Sequence, residues 1–470
     1  MSLIGNIYNQ TRALSVHRGS IEAAGKNIAN VNNPEYARQR MQVVDRGNIV
    51  IGDQVQSMGI ETGKFDSFRD ALIDGQIVRE TSQTEYAKAT DDMNRQLVGY
   101  WGEDINRASD AGSLDGITDL DSSTLGLNER LDSFFNSMSE LAANPSEVAL
   151  RAVTLQEAES LTVQLNDVAS NLSAFATDID QRLDNELAVA NDIIDQIAAL
   201  NVEIASIEMR SGDLTAVDLR DARQQQVEKL SEIMDIETAV IADSFGQISV
   251  SVDNGVGAPV TVLERGVVNG EFSFNGTNIV FGTGATVMGP SSGRAQAYLD
   301  FRDGGLADLQ TDLNNLASQL VTSVNGAYPT DFFDPAGTTA ATISLDAALT
   351  PSTLATSATA NAGANDVVQA IYALRNTTFS TGGGDAIDGT FGDFVVNVTG
   401  RVAQAAAVAE QNSENQDYIQ TMLGNERAKV GGVDLDEEAA DLLRFQRAYQ
   451  ATSRVISIMD ELLEELVRSF

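Results

Sequence analysis

The chain has no cysteine and only one histidine, His17, among its 470 residues. The missing cysteine excludes disulfides, thiolate nucleophiles and zinc–thiolate sites. A single histidine removes multi-histidine metal sites and leaves Ser-His-Asp catalysis only if His17 itself serves. That residue falls on an amphipathic helical pattern, where it reads as a solvated surface position. Positive charge is also scarce, with 30 Lys and Arg against 68 Asp and Glu and a formal net charge of −38. Such an acidic surface repels phosphate backbones and anionic lipids, so neither nucleic acid nor a membrane is expected as a partner. Solubility or a saline habitat accounts for the charge in general terms. No window approaches the ~18 uninterrupted apolar residues needed to span a bilayer. The opening MSLIGNIYNQTRALSVHRG lacks the apolar core and small-residue cleavage site of a secretory signal. The expectation is a cytoplasmic protein, or one that leaves the cell without a cleaved signal.

Recognisable chemistry is equally sparse. There is no P-loop and no strand-borne glycine fingerprint opening onto a helix. Among 68 acids nothing marks one carboxylate pair above another for acid–base work. The run Gly382-Gly383-Gly384-Asp385-Ala386-Ile387-Asp388-Gly389 loosely matches a glycine–aspartate calcium repeat, but it occurs once, whereas such repeats stack in arrays. Asp115, Asp119 and Asp121 lie in a Gly/Ser/Asp-rich connector that fits no twelve-residue calcium loop. No catalytic residue, metal or cofactor is assigned.

What is present is helical periodicity. The composition, 43% hydrophobic and 21% charged, is that of a globular chain long enough for several domains. Near the start, Ile7, Leu14, Ile21 and Ile28 repeat every seven residues and mark one helix stripe. The helix should stop by Asn30 to Asn33, because the residue before Pro34 is pushed out of the helical region. At the far end Leu442, Phe445, Tyr449, Thr452, Ile456, Met459, Leu463, Leu466 and Phe470 alternate three and four apart, a nearly unbroken seam. Each large apolar side chain gains about 1.5–3 kcal/mol on burial, so this seam needs a partner. Residues 1–40 carry five Lys or Arg against two acids, net +3, while residues 434–470 carry nine acids against four arginines, net −5. Opposite-sign helices with apolar stripes are suited to pair with each other.

Between the ends, Asn144-Pro145-Ser146-Glu147 reads as the start of a helix that would run over 145–211, a rod of about 100 Å. Its seam passes through Leu161, Leu165, Val168, Leu172, Phe175, Ile179, Leu183, Leu187, Ala190, Ile194, Ile197, Leu200, Ile204 and Ile207. Shorter helices are expected over 214–234, 301–326 and 397–429. Ile248-Ser249-Val250-Ser251-Val252 alternates within a glycine-rich stretch and predicts a β-rich unit over 236–299. Turn signals at Pro329, Pro335, Pro351 and Gly382 predict a second insertion, mixed or β-rich, over 328–395. The expected fold class is α+β and multidomain: a long helical bundle or coiled coil built from both chain ends and the 145–211 helix, with inserted β-rich domains. The expected division is a terminal core of 1–34 plus 434–470, a long-helix rod domain of 35–235, 300–327 and 396–433, and the two insertions.

Three sets of residues resemble a known family. The run Asn27-Ile28-Ala29-Asn30-Val31-Asn32-Asn33-Pro34-Glu35-Tyr36 is similar to the N-terminal signature of the axial proteins of the bacterial flagellum, the rod, hook and hook-associated proteins. Leu443-Arg444-Phe445-Gln446-Arg447-Ala448-Tyr449-Gln450-Ala451, then Val455-Ile456, is similar to their C-terminal signature. Leu131-Asp132-Ser133-Phe134-Phe135, Asp218-Leu219-Arg220-Asp221-Ala222-Arg223 and Tyr298-Leu299-Asp300-Phe301-Arg302-Asp303 resemble the hook-associated branch. Glu35 departs from the glycine usual there, and glutamate favours a type I over a type II turn after Pro34.

The resemblance implies a structural subunit without catalysis, forming a junction ring between hook and filament. Its implied partners are other copies of itself, the hook protein, a second hook-associated junction protein and an export chaperone on the C-terminal helix. Export through the flagellar type III apparatus would place it outside the cell. Ile7, Leu14, Ile21, Ile28, Asn30, Pro34, Leu442, Phe445, Tyr449, Ile456, Met459, Leu463 and Leu466 would form its axial-core, subunit and chaperone interface. Another axial protein, hook or distal rod, and a secreted calcium-dependent adhesin or enzyme on a helical stalk remain the alternatives.

Overall fold

A computed structural model of the chain describes residues 3–33, 36–51, 54–101, 126–211, 216–242, 244–255, 257–359 and 363–468. Pro34, Glu35, Asp115, Asp119, Asp121 and Phe470 lie outside the described residues. The chain forms two compact units: Met1–Tyr86 with Glu186–Gln296 and Asn415–Phe470, and Ala87–Asn185 with Ala297–Glu414. The architecture is α+β and multidomain, long helices with small antiparallel sheets inserted among them.

In the first unit, α1 (Leu3–Ala29) leads into four short strands, β1 (Gln39–Asp45), β2 (Asn48–Ile51), β3 (Gln54–Ser57) and β4 (Ile60–Ser67). β1 pairs antiparallel with β4, with a register shift between Met41 and Val43, and β2 pairs with β3. These strands were not expected from the sequence. Neither was α2 (Ala71–Trp101), and its burial pattern explains why. Its buried face mixes Ile77, Val78, Met93, Leu97 and Trp101 with Asp74, Thr81, Ser82, Thr84, Asp91 and Asn94, and these polar residues interrupt the apolar rhythm that marks a helix.

The helix α4 (Val148–Ser211) begins three residues later than the sequence suggested. Asn144 does not cap it; Asn144 closes the preceding helix α3 (Leu127–Ala143), its N–H donating to the Leu141 carbonyl at 3.2 Å. A turn follows, in which the Glu147 N–H donates to the Asn144 carbonyl at 3.1 Å and Arg151 donates twice to the Pro145 carbonyl, at 2.7 and 3.0 Å. The expected α4 seam is buried from Leu161 through Ile204 except at Leu200, which is half-buried, and Ile207 is exposed. After α5 (Val217–Ile233) comes a four-stranded antiparallel meander of β5 (Ile236–Val240), β6 (Ile248–Val252), β7 (Val260–Glu264) and β8 (Val267–Val268). In β6, Ile248, Val250 and Val252 are buried and the intervening serines half-buried, the period of two read from the sequence. A three-stranded meander follows: β9 (Phe272–Phe274), β10 (Ile279–Phe281) and β11 (Thr286–Met288). Arg294, which opens α6 (Arg294–Phe301), holds Glu85 at 2.8 Å and Glu186 and Glu232 at 3.1 Å, linking α2, α4, α5 and α6.

In the second unit a π-helical turn (Arg302–Leu306) joins α6 to α7 (Ala307–Ala327). Residues 328–395 hold α8 (Asp366–Ala373), the start of α9 (Phe391–Gly431) and, among their described residues, two isolated bridges, Phe333 with Leu345 and Phe379 with Gly389. Phe332 and Phe333 pack on Phe134 of α3, and Phe391 stacks on Phe135 at 5.9 Å. In the glycine–aspartate loop, Asp388 accepts hydrogen bonds from Thr381, and Asp385 accepts from the Ser380 N–H at 2.9 Å and from Gln319 of α7 at 3.4 Å, so both carboxylates already have partners.

The sole tryptophan, Trp101, is buried in this unit and its Nε1 donates to Thr399 at 2.9 Å. Phe175, 1% exposed, packs between Tyr100 and Phe301 at ring separations of 5.0 and 5.8 Å. Phe175→Ala is therefore expected to destabilise the second unit by about 3–5 kcal/mol through the cavity it leaves. Urea unfolding followed by Trp101 fluorescence measures this, and a loss below about 1 kcal/mol would show that the site collapses around the smaller residue.

Candidate assembly interface

The last helix, α10 (Leu435–Arg468), packs against α1, so the two ends of the chain meet in the first unit. On α10 the expected seam forms its least exposed face. Leu442, Phe445, Tyr449, Ile456, Met459 and Leu463 are half-buried, Thr452 is buried, and Leu466 at the end of the seam is exposed. On α1, Ile7, Leu14, Ile21 and Ile28 are half-buried, and burial is deepest one face over, at Val16, Ser20, Ala23, Ala24 and Asn27. Strands also approach there: a Cβ at Gly19 would meet the flexible end of the Met41 side chain, which would have to shift. His17 is half-buried rather than fully solvated, and burial holds it below its ordinary value.

The closest polar linkage between the two ends centres on Asn27, 1% exposed. Its Oδ1 accepts from the Gln39 N–H and the Tyr36 hydroxyl, both at 2.9 Å. Its Nδ2 donates to the Gln39 carbonyl at 2.9 Å and to Glu438 Oε2 at 3.0 Å. All four hydrogen-bonding capacities of the amide are used, so aspartate would turn a donor into a second carboxylate facing Glu438. Glu438 is 3% exposed, and its other oxygen accepts from Arg38 Nε at 2.6 Å. The position is favourable, since Glu438 lies in the first turn of α10, where backbone N–H groups attract negative charge. Asp434 caps that turn, accepting from the N–H groups of Asp436 and Glu437 at 2.9 and 3.2 Å.

Arg38 is fixed through its backbone as well. Its N–H donates to the Gly431 carbonyl at 2.8 Å, and its carbonyl accepts from the Phe68 N–H at 2.9 Å. A Cβ at position 431 would lie 2.5 Å from the Phe68 carbonyl oxygen, so the break between α9 and α10 needs glycine there. A second polar layer joins α1 to α5. Lys26 and Gln39 both donate to Asp218 at 2.8 Å, and Arg69 donates to Asp221 at 2.8 Å. Burial pushes the Asp218 carboxyl up, but the bonds from Lys26 and Gln39 and the charge of Lys26 outweigh it, leaving it below the usual range. For Asp221 burial wins over the charge and hydrogen bond of Arg69, and its carboxyl sits above the usual range. Burial, and then the charges of Asp221, Asp218 and Glu438, hold the Tyr36 hydroxyl well above its ordinary value.

Of the terminal residues singled out from the sequence, Asn30 sits in the turn after α1 with its amide donating to the Lys26 carbonyl at 2.9 Å, and Pro34 lies outside the described residues. Sequence reasoning missed Asn27, Arg38, Gln39 and Glu438. Asn27 and Tyr36 stand inside the asparagine-rich signature, but nothing local distinguishes Glu438 within the acidic run 434–438.

Comparison with known proteins bears on this arrangement of ends and middle. The profile of the flagellar hook-associated protein FlgK helical domain matches residues 112–332, and that of the flagellar basal body rod FlgEFG protein C-terminal region matches residues 430–469. Flagellar hook-associated protein 1 of Bacillus subtilis (strain 168) is 23% identical over 97% of this chain and 96% of its own length. Nearly the whole chain is thus similar to flagellar hook-associated protein 1. The relative of the same description from Escherichia coli (strain K12) is 20% identical over 98% of this chain and 99% of its own. A solved structure, that of the flagellar hook junction protein FlgK from Burkholderia pseudomallei, aligns with a TM-score of 0.45 and 19% identity over 55% of this chain and 46% of that one.

The α1 partner covers only part of α10. Val455, Ile458 and Leu462, spaced three and four apart, form a second apolar row that is exposed and runs toward Leu466 at the exposed end of the seam, with Leu443 a further exposed leucine on the same helix. The row lies to one side of the covered seam, so α10 carries a wider apolar face than one partner helix can bury. No helix among the described residues is long and apolar enough to cross a membrane.

Proposed function

We propose that the chain is a non-catalytic structural subunit of the junction between flagellar hook and filament. Its paired ends act as the axial core, with Ile7, Leu14, Ile21, Ile28 and Asn30 on one helix and the turn after it, and Leu442, Phe445, Tyr449, Ile456, Met459, Leu463 and Leu466 on the other; Pro34 is assigned to the same interface from the sequence signature. Copies of the chain form a ring, bounded on one side by the hook protein and on the other by a second hook-associated protein. The observation that carries this reading is the exposed row Val455, Ile458 and Leu462. Exposed apolar rows of this kind mark interaction surfaces, and neighbouring terminal helices are the occupants the assembly supplies. Before assembly the same row is a hazard, which gives an export chaperone its binding surface and fits passage through the type III apparatus.

Labelled antibody on isolated flagella tests the position. A single band of label at the distal end of the hook is the expected result. Label along the whole hook would make the chain a hook protein, and label within the envelope a distal rod protein.

A further inference from the structure

The polar pair that joins the two ends occupies places where apolar residues are the rule. Glu438 stands on the α10 seam itself, three residues after Leu435 and four before Leu442, yet it is 3% exposed. Asn27 stands on the most deeply buried stripe of α1, in step with Val16, Ser20 and Ala23 at spacings of three and four. Three of the four bonds of its amide go to its own segment: to the Gln39 N–H, the Gln39 carbonyl and the Tyr36 hydroxyl. That leaves one N–H for α10, and it meets one oxygen of Glu438 while Arg38 Nε meets the other. Residues 27–39 therefore make a preassembled socket with two donors, and a carboxylate at one position of α10 fills it.

The apolar contacts do not select this alignment. Ile7, Leu14, Ile21 and Ile28 repeat every seven residues, and the α10 seam maps onto itself after the same step. A slip of seven residues, about 10 Å along the helix, thus returns an apolar row to an apolar stripe. Burial even favours the slip. From the Asn27–Glu438 bond α1 runs back to Leu3 and α10 runs on to Arg468, so α10 extends about six residues, roughly 9 Å, past the described start of α1. Leu466 lies in that extension and is 52% exposed. Setting Phe445 where Glu438 now stands would bring Leu466 alongside α1 and unwind Leu435–Asp441. Little is lost there: Leu435, Ala439 and Ala440 are already exposed, and Asp436, Glu437 and Asp441 are acids that water solvates well. The cost falls at the socket, where the last N–H of Asn27 would face the ring of Phe445.

We infer that Glu438, read by Asn27 and Arg38, sets the register of α10 on α1 and leaves the end of α10 beyond α1. A lone polar residue on a helix seam fixes alignment at a cost in stability. Register belongs to the single chain, whatever that chain assembles with.

The test measures register directly in the purified full chain. Because the sequence has no cysteine, Arg18→Cys on α1 and Glu461→Cys on α10, both at exposed positions, carry the only two spin labels. Double electron–electron resonance should give a single distance between them. Adding Glu438→Leu should produce a second population, shorter by about 5–10 Å, with the helical circular dichroism unchanged. That variant strands no charge, since Arg38 keeps Glu437 at 3.2 Å and Asn27 keeps its three bonds within residues 27–39. A single unchanged distance overturns the inference. Loss of the helical signal also overturns it, because Glu438 would then hold the helices together rather than choose between alignments. Leu14→Ala, which thins the apolar stripe without touching the socket, should lower the urea midpoint and keep the single distance. A second distance in Leu14→Ala would overturn the assignment too, since any weakening of the pair would then release its register.

Discussion

Removing residues 434–470 is expected to abolish incorporation into the flagellum and swimming, while leaving the second unit folded. That unit comprises Ala87–Asn185 and Ala297–Glu414 and contains no residue of α10. Trp101 lies within it, so tryptophan emission and its urea midpoint should match those of the full chain. The helical signal in circular dichroism should fall by more than the 34 residues of α10, because α1 loses the partner against which it packs. An isolated helix gains little from propensity alone, and most of its stability comes from packing an apolar face. Cells carrying only the truncated chain should neither retain it in sheared flagella nor swim. Swimming at normal speed would contradict the structural role given to the terminal pair, and a shifted Trp101 midpoint would contradict the independence of the second unit.

The second large effect concerns one side chain. Arg38→Ala should destabilise the first unit by about 3–5 kcal/mol, because it strands the Glu438 carboxylate in a buried position with one of its two partners gone. Glu438 is 3% exposed, whereas Arg38 keeps access to water, so the cost falls on the glutamate. Arg38→Ala combined with Glu438→Leu should recover much of the loss, since the buried charge is then gone as well. Hydrogen exchange over residues 3–29 and 435–468 reads the effect at both helices at once, and urea unfolding gives its size. If Arg38→Ala costs no more than the ~1 kcal/mol of an ordinary surface pair, Glu438 is better solvated than its position indicates. If the double variant is no more stable than the single, the loss arises from the contact of Arg38 with Phe68 rather than from the stranded charge.

These two effects separate what was legible in the sequence from what was not. The α10 seam and the long α4 seam could be read because each is a repeat within a single segment, set by the geometry of one helix and by the need to bury its apolar stripe. The same logic read β6 from its alternation. It failed for α2, where buried Thr81, Ser82, Thr84 and Asn94 stand between Ile77 and Val78 at one end and Met93, Leu97 and Trp101 at the other and interrupt the hydrophobic period. Strands β1 to β4 were equally silent, being short and having a pairing register interrupted between Met41 and Val43. Asn144 misled because the sequence offers a helix-start signature there, while the structure uses the residue to close the helix before it.

By itself the sequence determined that both ends are amphipathic helices of opposite charge, that a long helix fills the middle, and that the terminal signatures resemble flagellar axial proteins. Local periodicity, composition and short motifs are enough for each of those statements. Only the tertiary structure decided that Asn27 and Glu438, separated by 411 positions, share a hydrogen bond, and that α10 keeps a second apolar row uncovered. A buried polar pair is specified by which distant groups meet, and an exposed face by which neighbours are absent. Neither leaves a period in one segment of chain, so both wait on the fold.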